Sequence, residues 1–502
     1  MSFDAALAAV RVDGHRVDAL DDLARAALDS GEEAIALEWL RPAAERSNVA
    51  LLWQWVGLLH RALDEHERAL GAFKTASQLA PNDAGIAHGY ARVAFEAGLD
   101  AVDLFLHARS LAPVDGSVLL GLAAARNAAG EGLRGADELV AALERSPGWV
   151  DGYEPLAQLL STLGERGRAT ESLERALTRF PRQRELWLAL FAINLRREDY
   201  AALAGDIARA EAAGIPASAV AFHRAVVAAE LDRETWPAAL FADAPAEIAE
   251  GLQIWRIRHL LRVDEVDSAA ALVDQALELG LAAAWPYAAT AWRLGGDERR
   301  EWLEGAPHLV QVFDLTSQLP PLTELAETLR RLHIAKGEYL DQSVRGGTQT
   351  DGPLLSRIDP TIRRLRKAIV SAIDAYLGQL PPPDRRHPLL GPRRDRRIRF
   401  SGSWSVRLRS SGRHSNHVHP QGWISSALYI ALPGRSRDEP ANAGWFTLGQ
   451  PPDDLRLGLD PWQTIQPKPG HLVLFPSWMW HGTIPFARGE RLTVAFDVRP
   501  PI

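Results

Sequence analysis

The chain has 502 residues, of which 47% are hydrophobic and 24% are charged, with 39 Gly and 32 Pro. This length exceeds that of one ordinary domain of about 100–200 residues, and the composition is that of a globular protein, which excludes disordered, collagen-like and membrane-embedded chains. The absence of cysteine excludes disulfides, thiolate zinc sites, iron–sulfur clusters and a cysteine nucleophile, so any metal must be bound by His, Asp or Glu.

Charge is distributed unevenly along the chain. The net charge of −8 and the pI near 6.0 argue against a general nucleic-acid-binding protein, which would be basic. Residues 1–300 have 30 Arg and Lys against 45 Asp and Glu, whereas residues 301–502 have 26 against 19, so the two parts carry net charges of −15 and +7. Because there is no apolar run of about 18 residues and no basic segment followed by an apolar one after Met1, we expect a cytoplasmic protein with no membrane partner.

Residues 1–304 are predicted to form an all-α solenoid, most clearly over 17–200. Prolines that close helical pairs recur about every 34 residues, at Pro81, Pro113, Pro147 and Pro181. Small residues recur in a second register, at Ala34, Ala69, Ala101, Ala136 and Ala169. A helical hairpin cannot bury its apolar stripe alone, so this spacing predicts stacked hairpins. The pattern resembles the tetratricopeptide repeat, with weaker periodicity to about residue 300; an unrelated Ala-rich bundle is the alternative.

The pattern changes at about residue 305, where a second domain, 305–502, is predicted to begin. Residues 311–339 predict a short strand and a helix, and residues 359–380 predict a second helix that ends before three prolines. The segment RRHPLLGPRRDRRIR is expected to be a solvated, charged loop. The segments SGSWSVRLR, GWISSALYIALP, GWFTLG, HLVLFP and ERLTVAFDV are short, rich in β-branched and aromatic residues, and separated by turns. They favour a β-sandwich or barrel over alternating βαβ units.

Histidines cluster in this second domain, where five of the fifteen lie beyond residue 400. His417 and His419 lead into a strand at positions i and i+2, so both rings should leave the same face and could chelate one ion. A His-x-His pair alone is weak evidence for a metal site. His481 follows the strand HLVLF, and His414 and His471 are expected to lie beside the site or at the surface.

The last predicted strand carries a second chemical signal. Arg491, Thr493, Ala495 and Asp497 share one face of it, while its other face is apolar. If the first face is the interior of a barrel, an unpaired guanidinium there would be very costly, so an anionic partner is expected. A carboxylate held through two hydrogen bonds is the natural partner of arginine.

Taken in order, these motifs resemble the 2-oxoglutarate- and Fe(II)-dependent oxygenases of the double-stranded β-helix (jelly-roll) fold. The segments QSVRGGTQT (342–350), HVHP with the following SSALYIALP, and GHLVLFPSWMWH look like a group of these enzymes that is often fused to tetratricopeptide repeats. The resemblance covers about residues 305–502. It implies Fe(II) bound by His417 or His419 together with His481, and a 2-oxoglutarate carboxylate bound by Arg491 with help from Thr493. Tyr429 and Ser426 are weaker candidates for the cosubstrate pocket.

One position departs from the usual triad of two histidines and one carboxylate, because His419 occupies the place of the acid. A three-His site, a two-His site completed by water, and a site with His417 outside the ligand set all remain open. Aspartyl/asparaginyl β-hydroxylases, which also join a repeat domain to this barrel, similarly lack the carboxylate and have an ending similar to RLTVAFDV. Its absence therefore does not imply inactivity.

The resemblance implies hydroxylation coupled to oxidative decarboxylation of 2-oxoglutarate, with Fe(II) and O₂ and no separate acid or base residue. Because solenoids offer long concave grooves, the leading hypothesis is hydroxylation of a protein or peptide side chain docked by the repeats. The charge of −15 favours a basic substrate segment. The alternatives are an oxygenase of small molecules, whose repeats serve assembly or pack on the barrel, and an inactive scaffold. The oligomeric state is left open.

Overall fold

The computed structural model describes residues 1–14, 16–231, 246–340, 343–434 and 438–501. An α-helical region comes first, and most of its helices pack on their neighbours in sequence. The helices are α1 (Phe3–Val12), α2 (Val17–Ser30), α3 (Glu33–Ser47), α4 (Ala50–Ala62), α5 (His66–Leu79), α6 (Ala84–Glu96), α7 (Val102–Leu111), α8 (Gly116–Ala128), α9 (Gly132–Arg145), α10 (Tyr153–Thr162), α11 (Glu171–Arg179), α12 (Arg184–Arg196), α13 (Tyr200–Ala212), α14 (Ala217–Leu231), α15 (Ala246–Arg262), α16 (Val266–Glu278) and α17 (Trp285–Gly295).

A left-handed backbone residue after every second helix sets the repeat. Such residues stand at Gly31, Asp64, Gly98, Gly130, Gly164, Glu198, Asp264 and Gly296. They follow one another about every 34 residues, except for a doubled interval between Glu198 and Asp264. A residue with positive φ ends a helix and turns the chain back, so this register produces stacked helical hairpins. The predicted repeat solenoid is confirmed, and its period continues to residue 296.

Glycines also permit the close packing of neighbouring hairpins. Phe73 of α5 is fully buried between Gly57 of α4 and Gly89 of α6, which are the first helices of successive hairpins. A Cβ atom would lie 2.6 Å from the Phe73 ring at Gly57 and 2.3 Å at Gly89. The aromatic ring therefore occupies the space that two absent side chains leave, and it links one repeat to the next.

The second region is built from antiparallel strands with flanking helices. The strands are β1 (Gln311–Asp314), β2 (Val344–Gln349), β3 (Phe400–His414), β4 (Ile424–Ala431), β5 (Phe446–Leu448), β6 (Gln463–Ile465), β7 (His471–Pro476), β8 (His481–Thr483) and β9 (Arg491–Val498), and the helices are α18 (Leu322–Leu332) and α19 (Pro360–Gln379). One sheet has the order β1-β7-β4-β9-β3-β2 and the other β6-β5-β8. The two sheets confirm the predicted jelly-roll class. Among the described residues, their hydrogen bonding does not close into a continuous barrel.

The strand register places one face of β9 toward the space between the sheets. Thr493 is paired with Tyr429 on β4 and with Val406 on β3, and Asp497 is paired with Ser425. Because side chains alternate along a strand, Arg491 lies on the same face as Thr493 and Asp497. The shared face predicted for the last strand is therefore present.

The two regions share one hydrophobic core. Apolar residues of α15, α16 and α17 pack in the same cluster as those of α18, α19 and both sheets. At this contact the Trp480 indole Nε1–H donates to the Thr290 hydroxyl at 3.0 Å and to the Pro286 carbonyl at 3.1 Å. The last helices of the solenoid thus support the strand that leads into β8.

Ion pairs join the first repeats to the segment 393–399, which was expected to be a solvated loop. Arg396 donates to Glu32 at 2.9 Å, and Arg399 donates to the buried Glu33 at 2.8 Å. Arg397 donates to Glu65, which the turn between α4 and α5 carries, at 2.8 Å. The expectation of a solvated loop is wrong, because these arginines neutralise acidic groups of the repeats. The opposite net charges of the two regions serve, at least here, to hold the regions together.

Within the described residues, the structure has no helix that is both long and apolar enough to cross a membrane.

Candidate metal and cosubstrate site

Three histidines from separate segments meet between the two sheets. The backbones of His417 and His481 form an isolated antiparallel bridge with two N–H···O contacts of 3.0 Å. The ring centroids of His417 and His481 are 4.2 Å apart, and that of His419 is 5.0 and 5.1 Å from them. One ring nitrogen of each histidine lies within 4.8 Å of the others, which brings together the three residues predicted as metal ligands.

Backbone carbonyls orient two of these rings. The Nδ1 atom of His417 is 2.8 Å from the Ser415 carbonyl, and the Nδ1 atom of His481 is 3.0 Å from the Met479 carbonyl. A carbonyl can only accept, so each Nδ1 carries the proton and each Nε2 keeps its lone pair. This is the tautomer that a metal ligand requires.

A carboxylate orients the third ring. The Nδ1 atom of His419 is 2.5 Å from Asp497 Oδ2, and the other carboxylate oxygen accepts a hydrogen bond from Ser425 at 2.5 Å. Asp497 thus supplies a carboxylate behind a histidine, which is a common arrangement at metal sites. Strand alternation places Asp497 on the correct face of the strand, but nothing in the sequence pattern indicates this role.

Burial keeps the imidazoles of His417 and His481 neutral. Loss of hydration, followed by the effect of the neighbouring His419, lowers the pKa of His417 to about 3. Burial, followed by the effects of the adjacent His417 and His419, holds the pKa of His481 well below its usual value. At neutral pH the rings of His417 and His481 are therefore uncharged and can donate lone pairs to a cation.

The two other histidines beyond residue 400 have different places. His414 stacks on His417 with centroids 5.8 Å apart, and the Ser343 hydroxyl lies 3.3 Å from His414 Nδ1 and 3.1 Å from His417 Nε2. His414 thus lies beside the site. His471 is 3.7 Å from the exposed Asp314 at the edge of the larger sheet. Both positions agree with the expectation for these residues.

The histidines open onto a cavity of about 390 Å³ between the sheets. Residues of β3, β4 and β9 form one wall, and residues of β5 and β8 form the other. Trp404 of β3 stacks on His419 with ring centroids 5.6 Å apart, and Phe475 packs against His481 at 4.8 Å. The cavity therefore has aromatic walls around a cluster of nitrogen ligands.

Arg491 supplies a buried positive charge to this cavity. The residue is 3% exposed, and its Nη1 donates to the Thr483 hydroxyl of β8. The guanidinium lies 5.1 Å from the centre of the Tyr429 ring, and its Nε has no hydrogen-bond partner among the described residues. Burial lowers the pKa of Arg491, yet a guanidinium stays protonated in proteins. A charged group with unused donors is thus ready to bind an anion.

The other residues predicted to bind the cosubstrate differ in how free their side chains are to do so. Thr493 lines the cavity, and Tyr429 lies under Arg491 with its buried hydroxyl unpartnered among the described residues. Ser426 also reaches the cavity wall, but its hydroxyl donates to the Phe496 carbonyl at 2.9 Å and accepts from the Phe496 amide at 2.8 Å. Ser426 mainly ties β4 to β9. Gln342, the first residue of the motif 342–350, lies outside the described residues.

Comparisons with solved structures give only distant likenesses. MamA (residues 41 to the end) from Desulfovibrio magneticus RS-1 is 17% identical, with a TM-score of 0.29, over 34% of this chain and 97% of that one. YrrB, described as a TPR protein with an unusual peptide-binding site, is 17% identical with a TM-score of 0.29, over 38% and 98%. A Pseudomonas putida prolyl-4-hydroxylase is 19% identical with a TM-score of 0.26, over 39% and 94%. These scores are too low to carry an argument.

Comparison with curated proteins gave no match. A comparison with protein families matches residues 402–497 to the family described as Putative 2OG-Fe(II) oxygenase. The matched segment contains the three histidines, Arg491 and Asp497. By this match, the C-terminal part of the chain is similar to the 2-oxoglutarate- and Fe(II)-dependent oxygenases, and it follows a helical-repeat region.

Proposed function

We propose that the protein is a 2-oxoglutarate- and Fe(II)-dependent dioxygenase that hydroxylates a side chain of a protein or peptide. The observation that carries the proposal is the convergence of three oriented imidazoles on a cavity that also contains the buried Arg491. The match of residues 402–497 to the oxygenase family supports the same reading.

The residues present fit a ferrous ion. Imidazole nitrogen is a good ligand for iron, and the tautomers fixed at His417, His419 and His481 direct a lone pair from each ring. A set of three neutral ligands leaves positions for a chelating cosubstrate and for O₂. We assign the three histidines as the ligand set, with Asp497 behind His419 in place of a coordinated carboxylate.

The residues also fit 2-oxoglutarate. Arg491 has an unused buried donor, and Thr493 lies two residues further along the same face. We assign Arg491 and Thr493 to the distal carboxylate, with Tyr429 beneath the guanidinium. Ferrous iron bound with the cosubstrate would supply the redox chemistry that couples decarboxylation of 2-oxoglutarate to succinate with hydroxylation of a C–H bond.

The chain's own residues orient the imidazoles and the cosubstrate and shield the cavity from water. Asp497 and the two backbone carbonyls hold a proton on Nδ1 of each imidazole, so that the Nε2 atoms stay directed inward. Trp404, Phe446 and Phe475 surround the imidazoles and exclude water from the cavity. Arg491 fixes the cosubstrate's orientation at the far end. No side chain has to act as a general acid or base in this scheme.

The packing of the repeats favours a second candidate function. Several repeats contact the β-region directly, which gives the solenoid a structural task that needs no docked chain. An oxygenase acting on a small molecule would use the same iron and cosubstrate residues. The two candidates differ in the substrate and not in the site.

Turnover without substrate tests the proposal. The full-length protein, reconstituted anaerobically with Fe(II) and 2-oxoglutarate, should release succinate when O₂ is admitted. His481→Ala and Arg491→Ala should abolish this release, whereas His471→Ala, which changes a histidine at the sheet edge, should keep it. No succinate from the unchanged protein would make the chain an inactive scaffold, and equal release from His481→Ala would refute the assignment of His481 as an iron ligand. Incubation with a peptide library, read as the gain of one oxygen atom, then separates peptide from small-molecule substrates.

A further inference from the structure

A second cavity of about 280 Å³ adjoins the histidine cavity. The two cavities share Ser343 and His417, so a group that enters the second cavity contacts His417, one of the three proposed iron ligands. One wall is formed by the turn after α10 and the end of α12, and the opposite wall by residues 338–340, by Ser343 and Arg345, and by residues 415–417. The repeats and the β-region thus build this mouth together.

Four arginines line the mouth: Arg166, Arg196, Arg197 and Arg345. Arg196 pairs with Glu154 at 2.9 Å, and Arg345 lies 3.9 Å from Glu198. Within the described chain, Arg166 and Arg197 form no ion pair, and the Nε atom of Arg197 is shielded from water without a hydrogen-bond partner. Two positive charges in this mouth are therefore not neutralised by the described residues.

The acidic residues of the mouth cancel only part of this excess, because Glu338 keeps its negative charge there. Glu198 faces Arg345, and a carboxylate oxygen of Glu338 accepts the Gly346 amide at 3.0 Å. Arg197 is half-buried, and a guanidinium shielded from water without a partner costs free energy that an incoming anion recovers, whereas the exposed Arg166 adds a second positive charge beside it. Arginine presents parallel N–H donors that match a carboxylate, so a carboxylate is the anion that this mouth fits.

Building on the proposed function, we propose that Arg166 and Arg197 recognise an acidic side chain of the peptide substrate. The carboxylate would bind in the mouth while a neighbouring part of the same chain enters the histidine cavity. The positive charge of the mouth favours an acidic substrate segment, whereas the net charge of −15 for residues 1–300 suggested a basic one. At least part of that acidity is already paired with Arg396, Arg397 and Arg399.

Fluorescence anisotropy with the full-length protein tests the inference. The probes are two labelled peptides of equal length, one with Glu at its central positions and the other with Gln at the same positions. The Glu peptide should bind at least about tenfold more tightly at low salt, with the difference shrinking as salt is added. The double variant Arg166→Gln/Arg197→Gln should remove this preference. Arg175→Gln, which changes an exposed arginine paired with Glu144, should keep it.

Equal binding of the two peptides, or an unchanged preference in the double variant at an unchanged melting temperature, would overturn the inference. N-acetylglutamate supplies the same carboxylate from a small molecule, and it should compete only weakly. If it displaces the Glu peptide at a concentration similar to that of the peptide itself, the peptide part of the inference is wrong. Succinate release by the unchanged protein is measured in parallel. Release without a Glu preference refutes this inference alone, and a Glu preference without release refutes the oxygenase proposal alone.

Discussion

The carboxylate of Asp497 should control metal affinity although it is not a proposed ligand. Its two oxygens hold His419 Nδ1 and the Ser425 hydroxyl, each at 2.5 Å. Asp497→Asn keeps the size of the side chain but removes its charge and one of its acceptors. The amide nitrogen can then face His419, which favours the tautomer with a proton on Nε2 and without a lone pair for iron.

The expected loss follows from the role of such partners at other metal sites. Removing a hydrogen-bond partner behind a ligand typically weakens metal binding by about 10 to 100-fold, or about 1.4 to 2.7 kcal/mol. We expect this range for Asp497→Asn, and a smaller loss for Ser425→Ala, which leaves the carboxylate in contact with His419. Asp314→Asn is the matched control, because Asp314 is an exposed carboxylate 3.7 Å from His471 and remote from the three ligands.

An anaerobic Fe(II) titration against a competing chelator measures these affinities, and thermal unfolding of the metal-free protein reports stability. The account requires the affinity to fall in Asp497→Asn and to stay within about twofold in Asp314→Asn. An Asp497→Asn variant that binds iron as tightly as the unchanged protein would refute the role of this carboxylate. A loss of affinity accompanied by unfolding would assign Asp497 a structural role instead.

Three further variants test the fold. Gly89→Ala places a Cβ 2.3 Å from the Phe73 ring and should destabilise the protein by about 1–3 kcal/mol in thermal unfolding. Arg399→Met leaves the buried Glu33 carboxylate without its charged partner and should cost about 3–5 kcal/mol in urea unfolding. Burial, with a further contribution from Arg407, lowers the pKa of His333 to about 4, below the unfolded value of 6.5, so stability should fall as the pH drops from 6.5 towards 4. His333→Gln should reduce that slope.

The first two of these predictions have a matched comparison. A Cβ at Gly71 meets no atom within 4 Å, so Gly71→Ala should raise stability by up to about 1 kcal/mol. Arg393 forms an exposed pair with Asp395, and Arg393→Met should leave the urea midpoint nearly unchanged. Equal effects of Gly89→Ala and Gly71→Ala, a negligible cost for Arg399→Met, or an unchanged pH slope in His333→Gln would contradict the corresponding prediction.

The repeat architecture was readable from the sequence because its signals recur. Prolines such as Pro81 and Pro113 and small residues such as Ala69 mark the same points of successive hairpins. Not every left-handed turn could be predicted from the sequence, because Asp64 and Glu198 occupy turn positions at which glycine would be the usual signal. The contact of segment 393–399 with the repeats was not predicted either. A run of arginines has the same sequence pattern whether it is hydrated or paired with acidic residues at a helix end.

Some features of the candidate site could likewise be predicted from the sequence, and others could not. Strand alternation placed Arg491 and Thr493 on one face, and the two-residue spacing brought His417 and His419 together. The contact between His417 and His481 depends on pairing between segments that are distant in sequence, which local pattern could not fix. Ser343 lies in the motif 342–350 but had no role of its own, and Thr483 carried no signal, because a single hydroxyl in a short strand or loop has no distinctive spacing.

The most direct test of the central claim is a crystal structure of the full-length protein prepared anaerobically with Fe(II) and 2-oxoglutarate, with anomalous data at the iron edge. The account predicts one iron atom bound by His417, His419 and His481, with Asp497 hydrogen-bonded behind His419 and the distal carboxylate of 2-oxoglutarate on Arg491. Iron bound away from these histidines, or 2-oxoglutarate that does not contact Arg491, would contradict it.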